Sequence, residues 1–99
     1  MTTHHLKTWP IYWDAVCAGY KTFEVRKNDR FFQAGDLVEL HRWNPDLVPA
    51  SYEEPEGYTS ARPQEEGTLR FRVGPVLQGG QFGIEPGYCV FSLLEAAGG

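Results

Sequence analysis

The stretch Gly19-Tyr20-Lys21-Thr22-Phe23-Glu24-Val25-Arg26-Lys27-Asn28-Asp29-Arg30 puts six charged side chains into the ten residues from Lys21 to Arg30. What precedes it reads as a helix. Pro10 suits a first helical position, where its missing N–H would have had no partner. Tyr12, Ala15, Val16 and Gly19 recur at i, i+3, i+4 and i+7, Trp9, Trp13 and Cys17 widen that apolar stripe, and Asp14 points away from it. Gly19 admits the left-handed backbone that ends a helix. The spacing predicts a helix over Pro10–Ala18, then a strand over Thr22–Lys27 with Phe23 and Val25 on one face and Thr22, Glu24 and Arg26 on the other. Such crowding of Lys, Glu and Arg builds a core poorly and a polar cleft well.

Working outward, His5–Trp9 alternates enough for a short first strand, and the Gly35-Asp36 turn leads into a strand over Leu37–Arg42. Thr68–Val73 alternates strictly, with Leu69, Phe71 and Val73 inward and Thr68, Arg70 and Arg72 outward. Pro75 interrupts that ladder, so Val76-Leu77 is expected to bend away as a corner. Tyr88–Leu94 is the last strand, its Cys89-Val90-Phe91 apolar enough for burial on both sides. One main helix among about five short strands gives an α+β class and a small mixed β-barrel. A length of 99 residues suits one domain over 1–99 with one core, and fourteen aromatic residues suit a small interior filled by few side chains.

The net charge of −4 is unevenly placed. Residues 1–42 balance at +1, residues 67–99 at zero, and residues 43–66 carry −5. The acidic segment at about 43–67, with four prolines and two glycines, reads as a long loop: a solvated excursion, or a flap that meets a protein partner through Tyr52 and Tyr58. Local placement sets the field, so the remainder still offers a basic cluster at 21–30 to a nucleic acid. Cys17 and Cys89 lack Cys-x-x-Cys spacing, which argues against a structural zinc site and for two small buried hydrophobes. His4, His5 and His41 read as exposed or cleft-edge residues rather than metal ligands, so neither a metal nor a cofactor is expected. No secretory signal and no apolar run of about 20 residues is present, so a cytoplasmic protein without membrane contact is expected.

The pattern Gly19-x-Lys21-x-x-Glu24-x-Arg26 resembles the motif of the ASCH family of PUA-like barrels. His5-Leu6-Lys7, Lys27-Asn28-Asp29-Arg30, Gly57-Tyr58-Thr59, Gln78-Gly79-Gly80-x-Phe82-Gly83-Ile84 and Gly87-Tyr88-Cys89-Val90 resemble the phage and bacterial subfamily DUF3850. The resemblance implies a PUA-like fold and an RNA or modified-nucleotide partner. A bacterial branch hydrolyses an acylated cytidine with a Lys in this motif, a Thr nucleophile three residues later and a Glu on a later strand. Lys21 matches, but Glu24 stands at the nucleophile position and the strand from Thr68 to Val76 has no carboxylate. An amidohydrolase would have to recruit Lys21, Thr22, Glu24 and Glu85, with Glu24 activating the Thr22 hydroxyl.

The binding reading gives each residue a role. Arg26 reaches a phosphate or a base edge, Glu24 accepts from a base amine, Lys21 and Thr22 stand at the strand's mouth, and Lys27 and Arg30 meet phosphates. In the glycine-rich run, Gly79 and Gly80 let the backbone approach a ligand, Gln78 and Gln81 read a base edge, and Phe82 stacks on a base or packs on the core. Without Gly-x-x-x-x-Gly-Lys-Ser/Thr the run is no nucleotide-triphosphate loop. A monomer or weak dimer that binds without covalent chemistry is the expectation.

Overall fold

The structure is a computed structural model and describes residues 1–96. Its elements run β1 Thr3–Thr8, α1 Pro10–Cys17, β2 Phe23–Lys27, β3 Leu37–Asn44, β4 Ser51–Glu53, β5 Thr59–Ser60, a 3₁₀ turn Glu65–Gly67, β6 Thr68–Gln78 and β7 Tyr88–Glu95. Hydrogen-bonded neighbours follow the order β2-β7-β6-β3-β4-β5, with β1 on β3, so the path ends at β2 and β5. The class is α+β, but this is a seven-stranded sheet that does not close into the expected barrel. Two compact units form: Met1–His4, Thr22–Val38 and the chain from Phe71 in the first, His5–Lys21 and Glu39–Arg70 in the second.

In the first unit β7 pairs antiparallel with β2 on one side and β6 on the other. Phe32, Val38, Val73, Cys89 and Phe91 are its buried apolar residues. Phe91 packs on Phe32 at 4.9 Å between ring centroids, and His4 lies 4.6 Å from Phe32. His4 is itself buried and its Nε2 meets Asp36 Oδ2 at 2.9 Å. Asp36 also accepts from the backbone N–H of Thr2 at 3.2 Å and of Gln33 at 3.1 Å. Burial alone would raise its pKa, but the bonds from His4, Thr2 and Gln33 outweigh that and hold the carboxyl below its ordinary value. Pro75 does not end the strand: β6 runs on to Gln78, with a register shift between Val73 and Val76 where the missing N–H falls. Burial along β7 alternates instead of being two-sided, Cys89 and Phe91 inside and Val90 only half-buried.

In the second unit Leu6, Trp13, Val16 and Leu40 form the apolar core. Trp13 Nε1 donates to the Leu40 carbonyl at 3.0 Å, which satisfies the indole and fixes α1 on β3. The helix stands where its spacing placed it, but only Trp13 and Val16 of the stripe are buried. Cys17, expected inside, is exposed, one residue beyond the face that Trp13 and Val16 define. The acidic segment is more ordered than a loop. β4 joins β3 through Trp43↔Tyr52 and Asn44↔Ser51, and β5 adds Tyr52↔Ser60 and Glu53↔Thr59. Arg42 organises this corner: it is bidentate to Asp14 at 3.1 and 3.2 Å, reaches Glu53 Oε1 at 2.8 Å and donates to the carbonyls of Glu53 and Glu54. Two strands of three and two residues carry too little alternation to read in sequence, and Glu53 of β4 serves as a counter-ion to Arg42.

Candidate functional site

On β2 the charged face is the inner one. Residues opposite one another in a sheet share a face, and β2 pairs Glu24 with Phe91 and Arg26 with Cys89. Phe91 and Cys89 are core residues, so the register carries Glu24 and Arg26 inward with them and turns Phe23 and Val25 out. Glu24 is 3 % exposed, while Phe23 and Val25 are 46 and 52 % exposed. Arg26 Nε donates to Glu24 Oε2 at 2.7 Å. The next strand continues the rows, Val76 beside Phe91 and Gln78 beside Cys89. Arg26, Cys89 and Gln78 thus lie across three strands on one face.

Gln78 opens the glycine-rich turn, and Asn28 Nδ2 donates to its Oε1 at 2.7 Å. The backbone N–H of Asn28 bonds to the Gly87 carbonyl at 2.8 Å, which ties the segment after β2 to the end of the same turn. Asn28 Oδ1 is buried without a hydrogen-bond partner among the described residues. Gly79 has no room for a side chain: a Cβ there would stand 2.0 Å from the Glu85 carbonyl oxygen and 2.7 Å from that of Tyr88. Gln81 Nε2 donates to the Gln78 carbonyl at 3.0 Å, and Gln81 bridges to Ile84. At the tip Phe82 sits at φ +53° and is 82 % exposed, so it does not pack on the core. Phe31 repeats this on the neighbouring segment, at φ +51° and also exposed. Positive φ is unfavourable for a bulky L-residue, and two such phenylalanines with solvent-facing rings are not explained by packing.

The first unit thereby holds Thr22, Glu24, Arg26, Lys27, Arg30 and the run Gln78–Phe82, with Lys27 and Arg30 exposed. Glu85, also exposed, belongs to it too. Lys21 belongs to the second unit, its ammonium 6.0 Å from the Tyr12 ring centroid.

The second unit carries a cleft of its own, about 360 Å³, lined by His5, Glu39, His41, Thr68, Arg70 and the segment from Arg62 to Glu65. Leu40 is buried between Glu39 and His41, so the alternation of β3 is broken there and His41 is buried as well, against the exposed or edge position expected for it. His5 and His41 stack at 7° between planes, with His5 Nδ1 3.2 Å from His41 Nε2. Glu39 Oε1 lies 3.2 Å from His5 Nδ1 and 3.5 Å from His41 Nε2. Its other oxygen accepts from Arg70 Nε at 3.0 Å, and Arg70 is gripped by both oxygens of Glu65. Glu65 and then Glu39 raise the Arg70 pKa further, and Arg70 in turn lowers that of Glu65. The Thr68 hydroxyl donates to the Gln64 carbonyl at 2.8 Å, so towards His41 Nδ1, 2.9 Å away, it can only accept. That assigns the His41 proton to Nδ1 and aims the Nε2 lone pair at His5 and Glu39. Burial lowers the pKa of His41, assisted by His5 and Arg70 and opposed by Glu39. Sequence reading passed over this trio because 34 residues separate His5 from Glu39, and only strand pairing of β1 with β3 brings them together.

Among the described residues no helix is long and apolar enough to cross a membrane. An uncharacterised 12.9 kDa protein of Escherichia phage P2, encoded in the region 3′ of GpA, is 42 % identical over 40 residues, which cover 40 % of this chain and 37 % of that protein. The shared stretch thus spans well under half of either protein. A family model described as a domain of unknown function, DUF3850, matches residues 3–93, which takes in nearly every element above. The chain belongs to the DUF3850 family.

Proposed function

We propose that this chain is a cytoplasmic ASCH-type module that binds RNA or a modified nucleotide on the first unit, without covalent chemistry. The observation that carries the reading is the two solvent-facing phenylalanines held at positive φ, Phe31 directly after Arg30 and Phe82 directly after the Gln78–Gln81 run. Exposed rings on fixed backbone give unstacked bases a platform at low entropic cost, and neighbouring cations track the phosphates. The inward Glu24–Arg26 pair lies outside this platform: Glu24 is buried and accepts from Arg26, so the base-amine role expected for it falls to the exposed Gln78 and Gln81.

The hydrolytic alternative is weaker, because Glu24 Oε2, the base that Thr22 would need, already accepts from Arg26. The acidic segment as a protein-binding flap is weaker too: Glu53 and Glu65 are engaged by Arg42 and Arg70 within their own unit. The binding reading is tested by anisotropy titration of a labelled short single-stranded RNA, alone and against modified nucleotides as competitors. Phe82→Ala removes a ring that supports no core, and stacking worth about 1–3 kcal/mol per base makes the expected loss about 5- to 150-fold. An affinity equal to that of the unaltered protein would remove the platform from the account.

A further inference from the structure

We infer that His5, Glu39 and His41 form a binding site for a divalent first-row transition metal, in the second unit and independent of the nucleotide face. Three facing atoms carry the inference: His5 Nδ1, His41 Nε2 and Glu39 Oε1, separated by 3.2, 3.2 and 3.5 Å. A tetrahedral ion with bonds of about 2.0–2.1 Å spaces its ligands about 3.3–3.4 Å apart, so the spacing of these three atoms matches what such an ion requires. Two imidazoles and a carboxylate also make a donor set suited to such metals.

His41 and Glu39 are each oriented from behind. His41 is fixed by the Thr68 hydroxyl, which Gln64 in turn holds, so its unprotonated Nε2 faces the other two donors. Glu39 is fixed by Arg70 on its far oxygen, which leaves Oε1 turned inward, and Arg70 is neutralised by Glu65. Ligands supported through their second polar atom are what distinguish a built metal site from a chance cluster. A lone pair of His41 and a carboxylate oxygen face each other at 3.5 Å, and His5 Nδ1 stands 3.2 Å from both, so the three atoms enclose a point where a proton or a metal ion relieves that repulsion. Three protein ligands leave a fourth position, and the adjoining cleft with Arg62 gives a small anion or water access to it.

The test uses the full chain, stripped of metal and free of nucleic acid, titrated with Co²⁺ while visible d–d absorption is followed, then with Zn²⁺ as competitor. One Co²⁺ per chain, displaced by Zn²⁺, is expected. His5→Ala and Glu39→Gln should each weaken binding at least tenfold, and Thr68→Val by about ten- to a hundredfold. Cys17→Ser, at the exposed thiol, should change nothing. His5 is exposed, so its truncation leaves the core intact, and circular dichroism with a denaturation midpoint confirms the fold of each variant. Absence of a d–d band, or Co²⁺ affinity unchanged in both His5→Ala and Glu39→Gln, would overturn the proposal and assign the trio to a proton shared from His5.

Discussion

Glu24 and Arg26 occupy positions whose neighbours across the sheet are Phe91 and Cys89, and their energetics follow from that setting. Arg26→Ala removes the guanidinium 2.7 Å from a carboxylate that is 3 % exposed. Complete loss of a buried partner is worth about 3–5 kcal/mol, and the part-exposed position of Arg26 reduces the expected destabilisation to about 2–3 kcal/mol. Lys27→Ala, on the exposed side, should stay within about 0.5 kcal/mol by urea unfolding. Asp36 has a directional pH signature. Its folded pKa lies below the ordinary 3.8, so its contribution is fully present above that value and is lost as pH falls through the folded pKa. Asp36→Asn is therefore expected to be less stable than the unaltered chain near neutral pH, with the difference shrinking on acidification below about pH 4. A difference that grew on acidification would contradict the hydrogen-bonded carboxylate described for that turn.

Elements differ in how far the sequence announced them. The helix was legible because Pro10, the i, i+3, i+4 spacing and Gly19 agree, and β2, β3, β6 and β7 because alternation or an apolar run marks each. β4 and β5 were not, since two- and three-residue strands show no period, and the bulge that carries β6 past Pro75 depends on tertiary pairing. The glycine run was legible as a turn, its glycines read either as room for a ligand to approach or as a plain turn. Its reason for Gly79 is more specific: the Glu85 and Tyr88 carbonyls fill the space of a side chain. Those are backbone atoms and cannot swing aside, so Gly79→Ala must displace the turn and Phe82 with it. Destabilisation of about 1–3 kcal/mol is expected. Weaker RNA binding should accompany it although no contacting side chain is lost; preserved affinity would separate the turn from the ligand face. The residues proposed for the site on this turn and on β2 were chosen from motif spacing. Which face of β2 lies inward was not, because only the register with β7 decides it.

For the molecule as a whole, a net charge of −4 sets the scale of any interaction with phosphates. Arg42 and Arg70 are held by acids of the second unit, so the formal excess of acids does not describe the face that carries Lys27 and Arg30. Two exposed cations, Lys27 and Arg30, stand there for a single strand, and each neutralised phosphate contributes about 0.7 to the salt slope, giving an expected slope near −1.4. Stacking should supply much of the remaining affinity and persist at high salt. The most direct measurement is the dissociation constant of a short single-stranded RNA over a series of salt concentrations, for the unaltered chain and for a Lys27→Ala, Arg30→Ala double variant. Binding is expected to weaken with a log–log slope near −1.4, falling towards zero in the double variant. No binding at the lowest salt, or one slope shared by both proteins, would contradict that expectation.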